Sequence, residues 1–314
     1  MALTLVEASK IAMGRDEALK ATIMELYARS SDVLQYMPFE NITGNALTFN
    51  REKTLPTVGF RGVNEGYTEG TGTVDRVTES LAIAGGDLDV DKFLIDTSGM
   101  DQRSVQEGMK VKALSLALTS TFVKGSVIND AKSFDGLQTR MPLNAADDRA
   151  VNASSTAATA CVMTLVKLDE LIDAVDEPTH LLMNKTQRRR LSAAARDTAV
   201  GGYITYDLDQ FGRRVTKYSD LPIIVVDKDN NNTDIMPFSE TSAGGSLVTT
   251  SVYCLSFADN GVVGLQNGEM DVRDLGEIDT KPVFRTRIEW YVTMAIMRPK
   301  AAARLHSINN GAVY

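Results

Sequence analysis

The feature that most constrains this chain lies near its C-terminus, where apolar and polar residues alternate from Phe284 to Ile296. Phe284, Thr286, Ile288, Trp290, Val292, Met294 and Ile296 fall on one side of an extended backbone, and Arg285, Arg287, Glu289, Tyr291 and Thr293 on the other. Successive side chains of a strand point to opposite faces, so a period of two predicts a half-buried strand well beyond the usual five or six residues. Its natural partner lies upstream. Asp101 to Lys124 contains no Pro and one internal Gly, Gly108, behind the capping pattern Ser98-Gly99-Met100-Asp101. That predicts a helix of about 24 residues, roughly 36 Å long. Its apolar positions, Val105, Met109, Leu114, Leu116, Leu118, Phe122 and Val123, spread round much of the cylinder, so cover on two sides is expected.

The N-terminal third reads differently. Thr4 to Met37 is predicted mostly helical: Thr4-Leu5-Val6-Glu7 fits a capping box, and Leu19, Ile23, Leu26 and Tyr27 make an apolar stripe. Pro38 ends this arm, and Ala46 to Arg51 alternates as a strand would. Between Glu52 and Asp75 the glycines Gly59, Gly62, Gly66, Gly70 and Gly72 interrupt every run, with charges filling the gaps. Such a segment supports bends but cannot pack by itself, and a two-stranded ribbon is marginal alone in water. Apolar patterning resumes at Thr78–Ile83 and Asp91–Ile95, around an expected turn at Gly85-Gly86. The Ala-, Asn-, Asp- and Ser-rich stretch from Leu143 to Ala160 reads as a boundary. Beyond it, helices are predicted around Leu165–Val175 and Thr186–Thr198, with strands at His180–Met183, Gly202–Tyr206, Arg214–Tyr218, Pro222–Val226 and Ser251–Phe257.

Composition excludes several function classes. A hydrophobic fraction of 43% describes an ordered chain, and 33 Lys+Arg against 41 Asp+Glu leave a net charge of −8. Affinity for nucleic acid comes from cations that displace counterions, so direct binding by charge is not expected. No window approaches 18 consecutive apolar residues, so no membrane span is expected. Cys161 and Cys254 read as reduced core residues.

A search for chemistry finds little. His180 and His306 belong to no zinc-binding pair, no G-x-S-x-G elbow presents a serine, and Gly70-Thr71-Gly72 is only half a dinucleotide fingerprint. Asp227, Asp229 and Asn231 begin a calcium-loop pattern but lack its Gly and its bidentate Glu; Asp87, Asp89 and Asp91 fail at the same places. Both read as solvated turns built on carboxylate side chains. Arg188, Arg189, Arg190 and Arg196 read as a solvated or ion-paired helix face. No catalytic, cofactor-binding or metal-binding residue is assigned.

The order of parts is more informative: amphipathic arm, glycine-rich ribbon, long helix, mixed domain, very long strand. That order resembles the major capsid proteins of tailed double-stranded DNA phages, with the Hong Kong 97-type fold. Phe134-Asp135-Gly136-Leu137 resembles the family's Phe-x-Gly-Leu segment, Arg61-Gly62-Val63-Asn64-Glu65-Gly66 a stretch of its extended loop, and Val283 to Ala303 its terminal strand and tail. The resemblance implies an α+β fold with an N-terminal arm (1–45), extended loop (46–85), peripheral domain with spine helix (86–145), axial domain (146–268) and return strand with C-terminal tail (269–314). It implies a non-enzymatic shell subunit of the virion, assembled in the host bacterial cytoplasm as pentamers and hexamers, with no cofactor and no membrane. The implied partners are other copies of itself, a separate scaffolding protein, portal and decoration proteins, and packaged double-stranded DNA bound without sequence specificity. Because arm and ribbon carry apolar side chains without a local core, Leu19, Ile23, Arg61, Glu65 and Glu69 are the expected inter-subunit contacts. The alternatives are an encapsulin-like compartment shell and a hydrolase or metal-dependent enzyme built around His180, Asp227 and Asp229.

Overall fold

The computed structural model describes residues 31–97, 102–143, 148–154, 160–196, 204–208, 212–242, 245 and 248–313. The capping patterns at Thr4–Glu7 and Ser98–Asp101 and the stripe of Leu19, Ile23, Leu26 and Tyr27 lie outside them. In chain order come helix α1 (Asp32–Tyr36) and strands β1 (Phe39–Asn41), β2 (Ala46–Thr54), β3 (Thr73–Ser80) and β4 (Ala82–Asp91). Helices α2 (Lys92–Thr97), α3 (Gln102–Lys124) and α4 (Leu137–Arg140) follow, then β5 (Ala150–Asn152), α5 (Leu165–Asp173), β6 (His180–Asn184) and α6 (Lys185–Ala194). Strands complete the chain: β7 (Ile204–Leu208), β8 (Arg214–Tyr218), β9 (Leu221–Val226), β10 (Thr250–Leu255), β11 (Val262–Gln266), β12 (Asp271–Ile278), β13 (Lys281–Ile296) and β14 (Ala302–Ile308).

The long strand organises the first sheet. β13 runs antiparallel to β4 on one edge and to β12 and then β11 on the other, and β1 adds to β11 in parallel. Its apolar face is buried as the alternation requires: Ile288, Trp290, Val292, Met294 and Ile296 share one core with Val111, Leu114, Leu118 and Phe122 of α3. The Trp290 ring lies 5.1 Å from that of Phe39, and its Nε1 donates to Gln266 Oε1 at 3.0 Å.

Among the described residues α3 is covered on one side, not two. Val111, Leu114, Ser115, Leu118, Thr119 and Phe122 form a single buried stripe, while Met109 is 60% exposed, because the sheet supplies a layer to one side only. Gly85-Gly86 is no turn either. Both lie inside β4, where Gly85 faces Glu289 and Gly86 faces Ile288. A Cβ on Gly85 would stand 2.3 Å from the Ile288 carbonyl oxygen, so glycine here permits close strand approach rather than a reversal. The apolar patterning at Asp91–Ile95 begins at the last residue of β4 and otherwise falls in helix α2.

The second sheet has the order β5-β14-β10-β6-β9-β8-β7 and is a wall between two cores. Leu182, Ile224, Tyr253, Leu255 and Ala302 face the α3 side; Leu181, Met183, Ile223, Val252, Cys254, Ala303 and Leu305 face α5 and α6. The segment after Pro299, expected as a tail, is β14, paired with β10 and β5 and so internal to this wall. His306 is accordingly 3% exposed. Arg304 beside it is buried too, donating to Ser251 Oγ (2.9 Å), Met141 O (3.0 Å) and Glu240 Oε2 (3.0 Å).

Candidate inter-subunit surface

β2 and β3 form a two-stranded ribbon, in register from Ala46↔Ser80 to Thr54↔Thr73. One face, Leu47, Phe49, Arg51, Asp75, Val77 and Glu79, is half-buried, and the other is exposed. At the root Leu47 and Phe49 pack with Val263, Leu265 and Ala295, which covers the second face of β13 near its end. Beyond Thr54 no sheet or helix continues, and every residue from 55 to 72 is exposed. Leu55, Val58, Phe60, Val63 and Tyr67 all stand in solvent, Phe60 at 110% relative exposure. Single exposed apolar residues are ordinary; five along one projecting segment mark a surface that another molecule covers.

The loop shapes itself around one turn. Asn64 adopts φ +67°, the Gly62 amide donates to Glu65 Oε2 (2.9 Å), and Arg61 Nη1 donates to the Glu65 carbonyl oxygen (3.1 Å) with its guanidinium 5.0 Å from the Tyr67 ring centre. The structure therefore brings Arg61 and Glu65 together within one chain, where they hold the turn. Glu69 is exposed on the same loop. Leu19 and Ile23 lie outside the described residues.

The Phe134–Leu137 segment earns its glycine geometrically. The Gly136 amide donates to the Gly125 carbonyl oxygen (2.8 Å), and a Cβ there would lie 2.5 Å from the Thr121 oxygen at the end of α3. Leu137 and Phe134 are buried in the α3 core, and Asp135 Oδ1 accepts from the Val127 amide (2.9 Å). These residues fasten the end of the long helix.

Sequence reasoning missed a charged plate on the outer face of β4, β13 and β12. Asp87 and Asp89 were expected in a solvated turn, but they are strand residues held bidentately by Arg287 (2.7 and 2.9 Å) and Arg285 (2.6 and 2.7 Å). Hydrogen bonds from these guanidinium groups hold both carboxyls below their ordinary range. Arg273 continues the plate with Glu289 and Asp271. The signal was available: Arg-x-Arg in one alternating strand and Asp-x-Asp in another are what an antiparallel pair aligns.

The residues of the enzyme alternative do not converge. β6 and β9 are parallel with Leu181 opposite Ile223 and Asn184 opposite Val226, so His180 and Asp227 sit at opposite ends of the pair, about 16 Å apart along it. The His180 ring lies between Tyr36 (4.6 Å) and Phe257 (5.1 Å), and burial lowers its pKa to about 4. Asp227 pairs with Lys185 at 3.0 Å, and Asp229 Oδ1 accepts from the Asn231 and Thr233 amides, both at 2.9 Å. Among the described residues no cluster of His, Cys, Asp and Glu could hold a metal ion.

The family model of the major capsid protein GP7 matches residues 15–172. No curated protein matches in sequence. Solved structures do match in fold. The holo-SrpI encapsulin complex from Synechococcus elongatus PCC 7942 superposes with a TM-score of 0.60 at 18% identity, covering 90% of this chain and 89% of that one. The capsid of a native GTA particle gives 0.61 at 15% identity, with 89% and 90% covered, and a structure from Microbacterium phage Oxtober96 gives 0.59 at 14%, with the same shares.

Proposed function

This chain belongs to the major capsid protein GP7 family, has the Hong Kong 97-type fold and is a shell-forming capsid protein; we propose that it assembles as pentamers and hexamers into an icosahedral head around double-stranded DNA. The observation that carries this reading is the loop of residues 55–72, whose apolar side chains have no cover among the described residues. A groove of about 370 Å³ between α3 and β4, with an apolar wall of Ala82, Ile83, Ala117 and Phe134 and charged Lys110 and Asp130, supplies a surface that suits that loop's apolar and charged side chains. The ribbon projects about 30 Å from its root, and the groove adjoins that root, so the loop that fits it belongs to another copy. A net charge of −8 suits a wall that must not hold packaged DNA by counterion release.

On this reading the arm around Leu19 and Ile23 and the exposed Glu69 contribute to contacts between copies, a separate scaffolding protein directs closure in the host cytoplasm, and portal and decoration proteins complete the particle. The domain divisions at residues 45, 85, 145 and 268 belong to the same proposal. An encapsulin-like compartment shares the fold, and the family match favours the phage-type shell. Negative-stain microscopy of the expressed protein tests the proposal. Closed shells tens of nanometres across with pentameric and hexameric units are expected, and a protein that stays monomeric at high concentration, with or without a scaffold, would overturn it.

A further inference from the structure

The ribbon leaves the first sheet beside β13, and the side chain of Arg140 spans the departure. The last residue pair between β4 and β13 is Ala82 with Val292; beyond it the chain lies in the ribbon and β13 continues without β4 beside it. The Met294 carbonyl oxygen on that open edge accepts from Arg140 Nη2 at 3.0 Å. The same guanidinium forks onto the Glu79 carboxylate of β3, with Nη2 to Oε2 at 2.7 Å and Nη1 to Oε1, while Nε donates to the Asp135 carbonyl oxygen at 2.8 Å. Arg140 thus ties together the turn after the spine helix, the long strand and the ribbon. Both side chains are largely withdrawn from water, at 16% for Arg140 and 13% for Glu79. Glu79 shares a ribbon face with Leu47, which packs on the body beside it. The apolar contact can slide, whereas a bidentate guanidinium–carboxylate pair fixes an angle.

We propose that Arg140 is the positioning residue of the ribbon: through Glu79 it sets the angle at which the loop is presented to the neighbouring copy, and so whether the lattice closes. This rests on the shell reading, but its geometry is measurable on the free subunit. Lysine cannot reproduce the fork, so Arg140→Lys should keep the fold while freeing the ribbon.

The test places spin labels at Glu52→Cys on β2 and Lys112→Cys on α3, both exposed, in a Cys161→Ser background; Cys254 is fully buried. Arg140→Lys should at least double the width of the label distance distribution with the melting temperature nearly unchanged, and cut the yield of closed shells tenfold or more in favour of open or irregular particles. An unchanged distribution, or a broadened one with normal shells, overturns the proposal. If Arg140→Lys fails to fold, Glu79→Gln decides: broadening supports the joint, and a wild-type width overturns it. Absence of shells from the unmodified protein would count against the capsid reading alone, because the distance measurement still reports on the joint.

Discussion

Trp290 shows how far one side chain can be read. It is 1% exposed, and truncation to Ala removes a large buried ring and leaves Gln266 Oε1 without its donor. The expected loss of unfolding free energy is about 3 to 5 kcal/mol by chemical denaturation, and under 1 kcal/mol would contradict the burial. Arg304 was not legible, because a lone Arg in a short C-terminal stretch looks solvated until its strand is placed in the sheet. Arg304→Met should cost about 3 to 5 kcal/mol by leaving Glu240 buried and unpaired, and adding Glu240→Leu should recover part of that loss. His180 gives a pH dependence of definite sign. It is held neutral in the fold with its pKa near 4, against 6.5 when free, so the unfolded chain binds more protons between those values. Its stabilisation is complete above pH 6.5 and is lost as pH falls toward 4, on the order of 2 kcal/mol by pH 5. His306 shifts in the same direction, lowered by burial and by Arg304. The depressed carboxyls, Asp87 and Asp89, act lower, below about pH 3.8. Urea midpoints at pH 7.5 and 5 should therefore differ, and His180→Gln should narrow the gap.

At the scale of elements, the long strand is visible because one face is buried over most of its length, which imprints a period of two, and the spine helix because a long run contains no Pro. β14 and β11 were missed for the opposite reason. Every residue of Ala302–Ile308 and Val262–Gln266 is buried, so neither alternates. The charges and glycines that break every run in the ribbon also foretold its exposure, though not the angle at its root. Replacing residues 56–72 with a short Gly-Ser linker should leave a folded subunit that forms no closed shell, checked by melting and by microscopy. Hydrogen exchange should be fast across 55–72 in the free subunit and slow after assembly, and protection before assembly would remove the basis for the proposal. Leu19→Asp with Ile23→Asp should block assembly at an unchanged melting curve; loss of both together would put the arm in the subunit's own core.

For the whole molecule, assembly multiplies small terms. An exposed ion pair contributes about 0 to 1 kcal/mol, yet each contact recurs at every subunit of a closed shell, so shell yield should fall steeply with added salt while the free subunit's melting temperature barely moves. Light scattering across a salt series checks this, and equal sensitivity of both would place the ion pairs inside the subunit. What the sequence determined by itself was the ribbon, the long helix and the long strand and their order, because periodicity, glycine density and Pro-free runs are local properties of the chain. The tertiary structure decided which contacts close. Asp87 against Arg287, Asp89 against Arg285, Arg304 against Glu240 and Arg140 against Glu79 join residues 61 to 200 positions apart, and Gly85 is a strand residue opposite Glu289. Asp-x-Asp and Arg-x-Arg mark their own strands, but which charge meets which, like the Arg304–Glu240 and Arg140–Glu79 contacts, depends on where whole sheets and helices have packed.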